Sequence, residues 1–290
     1  MDGWRPSRRD FLGTALALGA GTAWAAPRGG RGDRGDQRVL VVLHLAGGND
    51  GLNTVVPYAD DAYHRARPSL ALRAREVWRL DAQLGLHPAL SPLRAAWDRG
   101  ELAWVLGTGA VTAGRSHLSA CERWEQGGWL SGAVTAPLAQ VAQRIAAGDR
   151  TAVYRVGCGG FDTHARQAAA HAALLGGLAS DLARCAEALR ASGHWRRTLV
   201  LGWSEFGRAL AENANYGTDH GGAGPLFLLG GAVRGGLHGR QPRLTDLGAG
   251  GLPVMLDQRA VQATVLARWC GGDPRAVWGR EFPRLDLLRV

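Results

Sequence analysis

Short apolar runs of strand length alternate with helix-length stretches along most of this 290-residue chain. That alternation limits the folds open to it more than any other feature. Residues 38–45 (RVLVVLHL), 102–106, 152–156, 198–203 and 226–229 carry the β-rich pattern. Residues 88–99, 117–126, 136–147, 165–192, 206–213 and 258–270 read as helices. The expected fold is therefore α/β: a mostly parallel sheet with helices on both faces. Sheets of this kind bind ligands beyond the carboxyl ends of their strands, so the loops after each strand hold the candidate chemistry.

The N-terminal segment is set apart from this pattern. Arg8 and Arg9 precede an apolar run over residues 11–23, and Ala23-Trp24-Ala25 offers a small-residue cleavage step. This order reads as a twin-arginine signal peptide over residues 1–26, too short in apolar residues to span a bilayer. Residues 27–37, rich in Gly, Arg and Asp, read as a flexible tether, and 38–290 as a single α/β domain. The expected destination is the periplasm or the cell exterior, with no integral membrane segment.

The formal charge is +9, yet all 34 basic residues are Arg and they are scattered. A nucleic-acid surface would cluster them among aromatics, so that class is set aside. Cys121, Cys158, Cys185 and Cys270 stand far apart without a C-x-x-C pair, which excludes a zinc ribbon or a dithiol motif; disulfides between them stay open.

The loops bordering the strands concentrate carboxylates and imidazoles. Asn49-Asp50 follows the first run, Arg115-Ser116-His117 the second, Phe161-Asp162-Thr163-His164 the third and Ser204-Glu205-Phe206-Gly207-Arg208 the fourth, while Thr218-Asp219-His220 precedes the fifth. Each alone has an ordinary explanation: Asp50 and Asp219 as turn residues, Glu205 at a helix start, His117 on a helix surface. Together, converging on one rim, they suit a divalent ion, because imidazole with carboxylate favours zinc, manganese or iron. Ser116 is either an N-cap or a nucleophile favoured by a helix dipole and a neighbouring ion. Arg115 is either solvated or a bidentate grip on phosphate or sulfate. His44 and His87 read as structural; His64, His171, His194 and His238 lack a partner carboxylate at useful spacing.

The segments GGNDGLNTVVPY (47–58), GRSHLSACERWEQG (114–127), GFDTHARQ (160–167), WSEFGRALAEN (203–213) and TDHGGAGPLFLLG (218–230) resemble the exported bacterial DUF1501 family, which is similar to the alkaline phosphatase and sulfatase superfamily. The resemblance implies an alkaline-phosphatase-like fold with two metal positions flanking a nucleophile. Asp162, His164 and His220 would form one position; Asp50, Ser116 and Glu205 the other, with Asp219 as a further ligand. The chain departs from the superfamily pattern where an Asp-His dipeptide is replaced by Glu205-Phe206, in the close spacing of Asp162 and His164, and in the Gly-Gly-Asn that precedes Asp50.

These expectations describe an exported hydrolase of phosphate or sulfate esters that binds one or two divalent ions, zinc or manganese. In it Ser116 attacks, Arg115 orients a small anionic substrate, and any protein partner is unspecified. The alternative is a non-catalytic exported metal-binding protein that holds a partner or a surface polymer.

Overall fold

The structure is a computed structural model and describes residues 37–110, 116–248 and 251–290. The expected signal peptide, nearly all of the tether, and Arg115 lie outside the described residues.

The first strand, β1 (Val39–Leu45), shows why a sheet forms in the middle of the molecule. Every second side chain faces one side: Val39, Val41, Leu43 and Leu45 enter one apolar cluster, while Leu40 and Val42 enter another. A strand apolar on both faces is stable only when covered on both. β1 pairs in parallel with β7 (Val153–Cys158) on one side and with β8 (Thr198–Trp203) on the other. The short β6 (Val134–Thr135) extends the sheet in parallel beyond β7. Beyond β8 lies β11 (Gly224–Gly230), antiparallel to β8 and to the next strand, β5 (Leu102–Gly109). β12 (Gly236–Gly239) and β13 (Leu256–Asp257) both pair in parallel with β5. The sheet order is β12-β5-β11-β8-β1-β7-β6, so the mostly parallel α/β expectation holds. Because β11 opposes both neighbours, β5, β8, β1 and β7 run in one direction and their carboxyl ends share one rim.

Helices cover both faces. On one lie α2 (Arg94–Asp98), α4 (Leu138–Ala146) and the long α5 (Gln167–Ala191), whose Leu175, Leu178, Leu182 and Leu189 pack on β1. On the other, α3 (His117–Trp124) and α6 (Gln258–Arg268) contribute Trp124, Val261, Val265 and Leu266, and α7 (Pro274–Trp278) packs at their edge. A stack of rings joins this face to the rim: Trp124 lies 4.1 Å from Trp203 and parallel to it, and Trp203 stacks on His44 at 4.2 Å. A third small cluster surrounds α1 (Asp61–Ala66) beside a three-stranded sheet of β2 (Val55–Val56), β3 (Trp78–Arg79) and β4 (Gly85–Leu86).

Two expected helices differ. Residues 88–93 form a 3-10 turn, since Pro88 and Pro92 donate no backbone hydrogen bond, and only 94–98 continue as α-helix. Residues 206–213 contain a strand, β9 (Arg208–Glu212), in a hairpin with β10 (Thr218–His220). Arg208 and Leu210 are buried while Ala209 and Ala211 are more exposed, a period of two that the short apolar run had masked. Glu205 consequently heads no helix. The four cysteines are all unpaired, and no helix among the described residues is long and apolar enough to cross a membrane.

Candidate metal centre

At the shared rim, the loop after β7 places Asp162 and His164, α3 presents His117 from its first turn, and β10 supplies His220. Their polar atoms converge. His164 Nε2 and His220 Nε2 stand 3.1 Å apart, and Asp162 Oδ1 lies 3.0 Å from the first and 3.1 Å from the second. His117 Nε2 is 3.8 Å from Asp162 Oδ2, and its ring meets that of His220 edge-on at 4.7 Å. Ligand atoms of His117, Asp162 and His220 all lie within 4.8 Å of one another.

Two imidazoles and one half-exposed carboxylate, those of His117, His220 and Asp162, can converge on a divalent ion, with His164 beside them. Tetrahedral zinc with bonds of about 2.0–2.1 Å separates its ligand atoms by about 3.3 Å. The Nε2 and Oδ1 atoms of His164, His220 and Asp162 are already spaced near that value. One of the two facing rings can donate its Nε2–H to the other's lone pair, and a cation would instead take both lone pairs.

A second layer fixes this group. Glu205, only 3 % exposed, sets Oε1 3.1 Å from His117 Nδ1, while the ring's other nitrogen faces Asp162. Asp219 Oδ1 lies 3.3 Å from His164 Nδ1. Both are carboxylate–imidazole pairs of the kind that orients a ligand histidine and selects its tautomer. Glu205 also accepts the backbone N–H groups of Gly47 and Gly48 and the hydroxyl of Ser204. Burial pushes its carboxyl up, but His44 beside it and the backbone donors outweigh that and hold it well below the ordinary range. Hydrogen bonding from Asn213, above all, likewise lowers Asp219.

Arg208 ties the loops together from below. Its buried guanidinium donates to the carbonyls of Gly48 (2.6 Å), Thr218 (2.8 Å) and Phe161 (2.9 Å) and to Asp162 Oδ1 (2.7 Å). Burial alone would raise the Asp162 carboxyl; His220 and Arg208 overcome it and leave the group below its usual value. Gly47 is adjacent to the same loop at φ +124, and a Cβ there would collide with the backbone of Phe161 and Asp162.

The expected residues divide into groups. Asp162, His164 and His220 meet, with His117 added to them. Glu205 stands beside His117 and Asp219 beside His164, and Glu205 also meets His44 and Cys121 in a second group whose possible ligand atoms lie within 4.8 Å of one another. Asp50, expected at a second metal position, is fully buried and not on the rim. Its carboxylate pairs with Arg67 Nη1 at 2.6 Å and accepts from Gln167 and from Leu52 N. Burial opposes the charge of Asp50, but Arg67 and Gln167 hold its carboxyl below the ordinary value. Ser116 sits at the N-cap position of α3, exposed, and its side chain makes no capping bond.

The sequence puts His117 in the right loop, with a helix-surface role as its ordinary explanation, but leaves it out of the ligand set; its adjacency to Ser116 is the available signal. Arg208 and Asn213 carried none, because a buried clamp looks like any other Arg or Asn. His44, which reads as structural, lies at the site's edge, with Nε2 3.3 Å from Glu205 Oε2, and His171, which lacks a partner carboxylate in the sequence, is buried with Nε2 2.9 Å from Asn49 Oδ1. His87 keeps its structural role, capping the 3-10 turn through Nδ1.

A family model described as protein of unknown function (DUF1501) matches residues 138–251, and over that segment the resemblance expected from the motifs holds. No curated protein matches the chain. Among solved structures it is similar to the lipoteichoic acid synthase LtaP from Listeria monocytogenes, at 8% identity over 84% of this chain and 76% of that one, with a TM-score of 0.38.

Proposed function

We propose that this chain is an exported metal-dependent hydrolase of phosphate or sulfate esters, with His117, Asp162, His164 and His220 holding one divalent ion. The observation that carries the reading is the convergence of three imidazole nitrogens on one carboxylate, backed by Glu205 and Asp219. A bound zinc or manganese would supply Lewis-acid polarisation of the ester oxygens. The chain's own part is positional. Arg208 and Gly47 fix the Asp162 loop; Glu205 turns His117 so that Nε2 faces inward. Ser116, one residue before His117 and free of a capping bond, offers its hydroxyl to the substrate. In this scheme its oxygen bonds to phosphorus or sulfur as the ester's alcohol departs with the proton Ser116 loses. Water then releases the phosphoryl or sulfuryl group and restores the hydroxyl.

The test is turnover of 4-nitrophenyl phosphate and 4-nitrophenyl sulfate by zinc- or manganese-loaded protein. Turnover that disappears in Ser116→Ala with metal retained supports the hydrolase. Metal binding with no turnover of either ester supports the second reading, a non-catalytic exported metal-binding protein. That reading is favoured by the Asp50–Arg67 pair, which withdraws from the rim the carboxylate that a second catalytic ion would need. Export itself is tested by the cellular fraction in which the protein is found when Arg8 and Arg9 are replaced by Lys.

A further inference from the structure

Two residues other than glycine adopt a left-handed backbone among the described residues: Arg166 at φ 46 and Tyr216 at φ 58. Every other described position with positive φ is a glycine, the residue that takes this conformation without strain. The two strained residues are neighbours. Arg166 N donates to Asn215 O and Gln167 N to Tyr216 O, both at 2.9 Å, so the β9–β10 turn is docked on the segment that carries His164. Asn213 fastens the same junction by donating to His164 O and Asp219 Oδ1, both at 3.1 Å.

Neither strained side chain serves the fold. Tyr216 is 62 % exposed, and the Arg166 side chain is exposed and makes no ion pair with any described residue. A chain with 43 glycines holds a bulky aromatic and a cation where glycine would be more stable, on the turn and the segment that flank His164. Strain retained at such a place points to use of the side chain.

We propose that Arg166 and Tyr216 form a recognition subsite for the organic part of a ring-bearing phosphate or sulfate monoester, Tyr216 stacking on the ring and Arg166 attracting the anion. This rests on the reading of the metal centre given above. Aromatic stacking discriminates a ring from a methyl group by about 3- to 10-fold, and one exposed charge changes affinity by roughly 5-fold.

The experiment is calorimetric binding of phenylphosphonate and methylphosphonate to the zinc-loaded protein, with zinc content measured in each sample. In the parent protein phenylphosphonate should bind about 3- to 10-fold more tightly. Tyr216→Gly should abolish that preference, leave methylphosphonate binding and zinc content unchanged, and raise the melting temperature by about 2 °C as the strain is relieved. Arg166→Gly should weaken both phosphonates equally. Zinc bound at full occupancy with no phenyl preference in the parent, or an unchanged preference in Tyr216→Gly, overturns the subsite and leaves the metal centre standing. Absence of zinc binding overturns both.

Discussion

His164 and His220 present their Nε2 atoms to each other across 3.1 Å, with one oxygen of Asp162 nearly equidistant from both. The rest of the rim keeps that arrangement in place: Asp219 and Glu205 behind the imidazoles, Arg208 beneath the carboxylate, and the glycine-rich loop after β1 locked against Glu205.

Glu205→Gln tests the role of the buried carboxylate behind His117. The amide keeps the size of the side chain but loses the charge and one acceptor, so His117 is no longer held with Nε2 toward Asp162. Orienting partners of this type are worth about 10- to 100-fold in metal affinity, and a zinc competition titration should show a loss of that size while the fold persists.

Arg208→Met should be costly in a different way. It removes a buried cation that joins Gly48, Phe161, Asp162 and Thr218. Deleting one partner from such a network costs about 3–5 kcal/mol. Urea unfolding should show that loss even without metal, which separates the clamp from a ligand.

The turn docked on His164 depends on Gly217, where a Cβ would collide with the His164 backbone. Gly217→Ala should therefore displace the hairpin, costing about 1–3 kcal/mol of stability, and weaken zinc binding. Thermal melts with and without zinc should show both effects, the metal-dependent gain in melting temperature shrinking.

Acid should destabilise the fold in a defined window. Burial pushes His171 down to about 4, so the folded protein keeps it neutral while the unfolded chain protonates it near its ordinary value of 6.5. Between those values the unfolded state binds more protons, and stability falls as pH decreases, by roughly 3 kcal/mol across the window. Asp50, held below its ordinary value by Arg67, adds a loss at still lower pH as its pair is broken. Urea midpoints at pH 7, 5 and 4 check the slope, which should flatten between pH 7 and 4 in His171→Gln.

The sheet was legible because β1, β5, β8 and most of β7 and β11 are buried on both faces and their apolar runs read plainly. The β9 strand was not, because FGRALAEN has helix-forming composition and its pairing with residues 218–220 is set by tertiary contact. At the site, Asp162, His164 and His220 were legible from loop position alone. Which carboxylate faces which imidazole was not. Nothing local tells Asp50, buried against Arg67 seventeen residues later, from an exposed turn aspartate, or shows that Glu205 faces the β1 loop while His117 completes the centre.

Zinc stoichiometry of the purified protein, measured by elemental analysis after dialysis, tests the central claim most directly. The account predicts one equivalent per chain, lost in His220→Ala and in Asp162→Ala but retained in Asp50→Asn if that variant folds. A protein that binds no zinc or manganese, or one that keeps its metal unchanged in His220→Ala, contradicts it.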